Sequence, residues 1–101
     1  SLVGLLSCSM NREEMQNQIK TSFQQKMDSD SQYSKYKMIA NSVTLVKSGN
    51  NTYDGMVNIT LDGQQYDVAI SVTADNDTFI WQTKPMAFSF LAEYELKKLG
   101  F

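Results

Sequence analysis

Asp62-Gly63 divides two runs of alternating residues, and the match between those runs constrains the fold more than any other feature of the chain. Asp-Gly is a favoured pair for the two-residue type I′ hairpin loop, whose central residues both take positive φ. With that loop Leu61 faces Gln64, and counting outward opposes Ile59 to Tyr66, Val57 to Val68, Gly55 to Ile70 and Tyr53 to Val72. Residues directly opposite in an antiparallel pair share a face. From Ile59–Tyr66 outward that face is apolar or glycine throughout, while the other pairs Asn58 with Asp67 and Thr60 with Gln65. A slip of one residue would turn every side chain over, so the agreement specifies the register.

The flanking turns extend the pattern. With Asp75-Asn76 as a second two-residue loop, Val72 meets Phe79 and Ile70 meets Trp81. Ser48-Gly49-Asn50, as a three-residue loop with Gly or Asn in the left-handed region, sets Leu45 opposite Tyr53 and Val43 opposite Gly55. Strands are therefore expected at 37–47, 52–61, 64–74 and 77–84, as a four-stranded antiparallel meander with one apolar face. Pro85 lacks an N–H and stops the last strand.

Ahead of the strands the period is four. Met15, Ile19, Phe23 and Met27 form one stripe of a helix over 11–28, with Asn11 and Glu14 spaced as a capping box. After Pro85, "SFLAEYELKKLGF" predicts a second helix: Glu93 and Lys97 are four apart, Glu95 and Lys98 three apart, and Gly100 is placed as a C-cap. "MAFSF" at 86–90 also alternates, which leaves a short fifth strand open as an alternative there. The fold class expected is α+β: an N-terminal helix packed on the meander and followed by a C-terminal helix, one domain over residues 11–101.

Over residues 11–84 this order of elements resembles the cystatin-like and nuclear-transport-factor-two-like architectures. The resemblance is one of topology. The cystatin inhibitors' Gln-x-Val-x-Gly loop is absent, since the first hairpin reads "LVKSGNNTY", so inhibition of cysteine proteases is not implied. Relatives that work as steroid isomerases or dehydratases need a pocket acid or a His–Asp pair. This chain has no histidine, and Asp54, Asp62 and Asp67 fall on the outer face by parity.

Composition narrows the functions further. Nine scattered bases against eleven acids leave a net charge of −2, which gives no footprint for nucleic acid. With no histidine and one cysteine in 101 residues, neither an intramolecular disulfide nor a Cys/His zinc site can form. No cofactor or metal is expected. Asp75-Asn76-Asp77 reads as a hairpin tip rather than a Ca²⁺ site, because no bidentate Glu follows at a useful spacing. The Asn-x-Ser/Thr sequons at Asn50, Asn58 and Asn76 read as a product of composition.

The cysteine carries more information than its chemistry. Leu5-Leu6-Ser7-Cys8 resembles a bacterial lipobox, directly ahead of the expected domain. The resemblance implies cleavage before Cys8, a lipid on that residue, and export to the cell envelope. Ser9 after the cysteine implies the outer membrane, facing the periplasm, in a Gram-negative cell. Residues 1–10 then read as the remnant of an export signal and a tether. The apolar stretch Leu2–Leu6 is shorter than the ~7–15 residues of a signal core, so the rest of the leader is expected upstream.

Two groups of residues are candidates for a site. Tyr53, Tyr66, Phe79 and Trp81 share the apolar face as a candidate ligand pocket or as plain core. Met38, Ala40, Met56, Ala69 and Ile80 lie on the other face by parity, as a candidate interaction face. That face is expected to be covered by the C-terminal helix or a second subunit, or left solvated. The function expected is binding of an envelope protein or a small apolar ligand, with no catalysis. The rivals are a carboxylate-dependent enzyme using Glu93 or Glu95 where the last helix closes the pocket, and a homodimer joined through the outer face.

Overall fold

The computed structural model describes residues 3–5, 12–75 and 78–100. Helix α1 spans Arg12–Ser29 and buries Met15, Ile19, Phe23 and Met27. A four-residue step drifts only ~40° around a helix, so the four make one stripe and meet one surface. Asn11, expected as the cap, lies outside the described residues. At the far end Asp30 accepts the amides of Tyr33 and Ser34. A 3₁₀ turn over Ser34–Tyr36 follows, and Lys37 at φ 53° turns the chain into the sheet.

The sheet holds β1 (Val3–Leu5), β2 (Ile39–Lys47), β3 (Thr52–Leu61), β4 (Gln64–Asp75) and β5 (Thr78–Thr83). Its order is β1-β5-β4-β3-β2, and every neighbouring pair is antiparallel. The meander β2–β5 is the one the sequence predicts. Strand β1 is an addition: Val3 pairs with Ile80 and Leu5 with Thr78, so residues 3–5 join the sheet edge where a bare tether was expected.

The central hairpin has the predicted register from Leu61–Gln64 to Tyr53–Val72. Asp62 and Gly63 take φ of 51° and 80°, both positive as a type I′ loop needs. Both flanking hairpins are two residues away from expectation. Leu45 pairs with Gly55 rather than Tyr53, because the amides of Ser48 and Gly49 both donate to the Thr52 carbonyl and lengthen the loop. Val72 pairs with Trp81 rather than Phe79, because the last hairpin closes at Asp75–Thr78. A shift of two keeps each residue on its face, so the buried set is unchanged.

Two outer-face assignments do change. Met38 and Ala40 are buried, Met38 to 1% exposure. Ala40 pairs with Ile59 while Ser42 pairs with Asn58, which leaves Asn41 as the extra residue of a β-bulge. The bulge reverses the parity of everything before it and turns both side chains into the core. Asn41 itself stays outside, donating to Asn58 Oδ1 and Thr60 Oγ1 at 2.9 and 2.8 Å.

Helix α2 spans Phe90–Lys98, and Gly100 past its end takes φ 91° and donates to the Lys97 carbonyl. Residues 86–90 form no strand: Ala87 donates to Lys84 and Ser89 to Met86, in consecutive tight turns. Phe90 stacks on Tyr66 with ring centroids 4.5 Å apart and planes 6° from parallel, and Leu91 is buried. Tyr66 is on the inner face, so α2 packs on the side of the sheet already occupied by α1. The outer face is not covered by α2.

Helix α1 also reaches the sheet edge. Gln16 Oε1 accepts the Leu45 N–H at 2.9 Å. Gln24 Oε1 accepts the Ala40 N–H at 2.7 Å while its Nε2 donates to the Met38 carbonyl at 2.9 Å. An edge strand presents unpaired amides and carbonyls along one side. On β2 two helical glutamines take the place of part of a neighbouring strand.

Candidate functional site

The four inner-face aromatics do not gather around one cavity. Phe79 and Trp81 are fully buried, and the Phe23 and Trp81 rings lie 5.6 Å apart. The Trp81 indole N–H donates to Ser22 Oγ at 2.6 Å, and Ser22 donates on to the Ile19 carbonyl at 3.2 Å. Its polar edge is satisfied within the core, with no ligand needed. Tyr53 is half-buried at one end of the sheet, where the Arg12 guanidinium sits 5.9 Å from its ring centroid. Tyr66 pairs with Ile59, six residues along β3 from Tyr53, or roughly 20 Å at ~3.4 Å per residue. Tyr53, Phe79 and Trp81 are therefore packing residues.

Tyr66 belongs instead to a cleft of about 530 Å³ between the β3–β4 hairpin and α2. Leu61, Asp62 and Gln64 line it from the hairpin side, and Tyr94, Lys97 and Lys98 from the helix. Lys98 Nζ lies 5.2 Å from the Tyr94 ring centroid. The helical half of this wall was not predicted, because the sequence of α2 does not say which end of the sheet it packs against.

On the outer face Met56 pairs directly with Ala69, and Val46 pairs with Asp54 in the next row. Val46 and Met56 are 63% and 47% exposed. Between them runs a shallow groove of about 220 Å³, with Thr44 and Gly55 in its floor and walls. Lys84 closes one side by donating to Asp54 Oδ1 at 2.7 Å. Its position is set by its own backbone N–H, which donates to the Ala69 carbonyl before Pro85 ends the ladder. Ile80, also exposed, is two strands and two rows from Met56, roughly 17 Å away at ~4.8 Å per strand and ~6.8 Å per row. Met56 and Ala69 thus form one patch, to which Val46 and Lys84 are added, and Ile80 stands apart from it, between β1 and β4.

The carboxylates proposed for catalysis are placed otherwise. Glu93 is exposed, and Glu95 is half-buried beside Tyr36. Burial raises the Tyr36 pKa, reinforced by its hydrogen bond to Glu95 and by the charges of Glu95 and Tyr94. Burial likewise raises Tyr33, with the negative charge of Asp30 adding to it. Glu95 therefore holds a tyrosine hydroxyl. Among the described residues no three His, Cys, Asp or Glu side chains come together as a metal site, and no helix is long and apolar enough to cross a membrane. Cys8 and the Asn76-Asp77 hairpin tip lie outside the described residues.

The fold is α+β, with a helix lying across an antiparallel meander and a second helix closing one end of the same face. Comparison with family models, with curated proteins and with solved structures gives no match.

Proposed function

We propose that this chain is the folded part of an exported lipoprotein, lipidated at Cys8, that acts by binding a protein partner through the outer face of its sheet. The observation that carries the binding role is the Val46–Met56–Ala69 groove, apolar, uncovered by α2 and flanked by the Lys84–Asp54 ion pair. Apolar surface bordered by an ion pair suits a protein contact, where side chains bury the centre and polar groups orient the rim. The inner face supports binding over catalysis, because its aromatics fill space and the Trp81 indole N–H finds its partner inside the chain. The anchor rests on the lipobox resemblance of Leu5-Leu6-Ser7-Cys8.

Two experiments test the reading. A photo-crosslinking residue at position 56 should give discrete adducts in the native cell, and the same residue at Asp62, on a hairpin tip, should not. Equal labelling from both positions refutes the docking face. Cells fed labelled palmitate should transfer it to the wild-type protein and not to Cys8→Ser; identical labelling of both refutes the anchor.

A second reading is favoured by the cleft at Tyr66. Tyr66 on the hairpin side, facing Tyr94, Lys97 and Lys98 on the helix side, suits a small aromatic anion stacked on the rings and held by the cations. Saturable binding of an anilinonaphthalene sulfonate that disappears in Lys97→Glu/Lys98→Glu would favour this reading over the protein partner.

A further inference from the structure

The methionines divide sharply by environment. Among the described residues Met15, Met27 and Met38 are buried in the core, while Met56 and Met86 are 47% and 81% exposed. Packing does not account for Met86. Ala87 N–H donates to the Lys84 carbonyl, which makes 84–87 a turn with Pro85 second and Met86 third. Met86 takes φ 64° there, the sign a type II turn needs at its third residue, where glycine or asparagine is usual. A side chain held at positive φ and left in solvent gains no burial in return, and outliers of this kind cluster at functional positions. Met56 lines the outer-face groove, two residues after Asp54 on the same face of β3. Lys84 borders that groove and also the recess that Met86 forms with Tyr33 and Phe88. The lysine of the Lys84–Asp54 pair thus adjoins two recesses, each holding an open thioether.

We propose that Met86 and Met56 are the sites at which hydroperoxides oxidise this chain, and that the sulfoxide formed at Met56 draws Lys84 away from Asp54. A thioether lone pair attacks one oxygen of hydrogen peroxide, the O–O bond breaks as the S–O bond forms, and the second oxygen leaves as water after taking up the proton. Sulfur loses two electrons and the peroxide gains them, so no cofactor enters the balance. The step requires peroxide to reach sulfur, which the packed core denies to Met15, Met27 and Met38. Its product is polar, and its oxygen is a strong acceptor where the thioether was a weak one. At Met56 that oxygen stands in an apolar groove beside an ammonium donating to one oxygen of Asp54. Oxidation thereby makes the groove polar and loosens the ion pair at its rim. The consequence for a bound partner, and that clause alone, rests on the docking reading. Methionine sulfoxide reductases reverse the step, which returns the groove to its apolar form.

The test uses the full-length chain in a Cys8→Ser background, which removes the one thiol. After dilute hydrogen peroxide the chain is digested and its peptides are weighed. In native buffer Met86 and Met56 should each gain one oxygen at least ~tenfold faster than Met15, Met27 and Met38, and in denaturant the five rates should converge. Oxidation of Met56 or Met86 no faster than the buried three in native buffer overturns the assignment. Met86→Leu leaves Met56 as the exposed thioether among the described residues. Its oxidation should shift the NMR signals of the Lys84 ammonium and the Asp54 carboxylate, and a sulfoxide reductase should restore them. In Met56→Leu the same peroxide should leave both signals in place. Unmoved signals in oxidised Met86→Leu overturn the capture of Lys84. Neither result depends on a partner, so failure here is distinct from failure of the crosslinking at position 56.

Discussion

Replacing Gln24 with glutamate measures what the amide does at the edge of the sheet. In the wild type Oε1 accepts from Ala40 N–H at 2.7 Å, while Nε2 donates to the Met38 carbonyl at 2.9 Å and to Asp28 Oδ1 at 3.0 Å. Glutamate keeps the shape and the acceptor and loses both donations. Each lost hydrogen bond removes ~0.5–1.5 kcal/mol, with the exposed Asp28 bond at the low end. The new acid also stands four residues from Asp28, a like-charge spacing that costs about 0.2–0.5 kcal/mol. Against this, the remaining bond from Ala40 becomes charge-assisted and returns up to ~1 kcal/mol. With the Met38 bond at ~1 kcal/mol and about half of the charge-assisted return realised, the expected net loss is ~1.3 kcal/mol at neutral pH, or roughly 5–10 °C in Tm for a domain of this size. Urea unfolding followed by the fluorescence of Trp81, the single tryptophan, reads the change directly. In acid the glutamic acid regains a donor for the Met38 carbonyl, so the difference from wild type should narrow below the ordinary glutamate range. A variant within about 0.5 kcal/mol of wild type at pH 7 would refute the claim that the amide secures the strand.

A Cβ on Gly55 would stand 2.8 Å from Leu45 Cδ2 and 2.9 Å from Ile70 Cγ1. Gly55→Ala should therefore destabilise by about 1–2 kcal/mol, overpacking outweighing the stiffer unfolded chain, and denaturant titration should show it. Trp81→Phe removes the donor to Ser22 and part of the core volume, and should lower unfolding free energy by about 1.5–3 kcal/mol in calorimetry. The raised pKa values of Tyr33 and Tyr36 favour the neutral hydroxyls in the folded chain. Their contribution is complete below the unfolded value of 10.0 and is lost as pH climbs through the folded values. Absorbance titration at the tyrosinate band should show Tyr33 and Tyr36 ionising late, and Tyr33→Phe and Tyr36→Phe should each remove one late step.

The middle hairpin was legible because Asp-Gly dictates one loop length, and one loop length dictates one register. The turns on either side were not, since strings of Ser, Gly, Asn and Asp close equally well at neighbouring positions and face parity ignores a shift of two. The bulge did leave a mark. The buried apolar residues fall at 38 and 40 and then at 43 and 45, a change from even to odd that the exposed Ile39 and Val46 blur in the sequence. That change of phase is what an extra residue at 41 produces, and a count made from the strand's far end misses it. Gln16 and Gln24 were hidden for another reason: beside an apolar stripe, glutamine reads as a solvent residue, yet its side chain carries the same donor and acceptor as a peptide unit. The sheet patch was half legible. Met56 and Ala69 follow from alternation, while Lys84 follows only from where the chain turns after β5.

The bulge at Asn41 also bears on how the length of this chain can change. Deleting one residue from a strand ordinarily exchanges inside for outside along everything that follows or precedes it. At position 41 a deletion would join Ala40 to Ser42 in a continuous ladder, with Met38 and Ala40 still inward and Ser42 still outward. The loss would be confined to the Asn41 bonds with Asn58 and Thr60. In β2 this is the one site where a codon can be lost without everting the strand, and sequences descended from a common ancestor should differ in length there before they do so elsewhere in that strand.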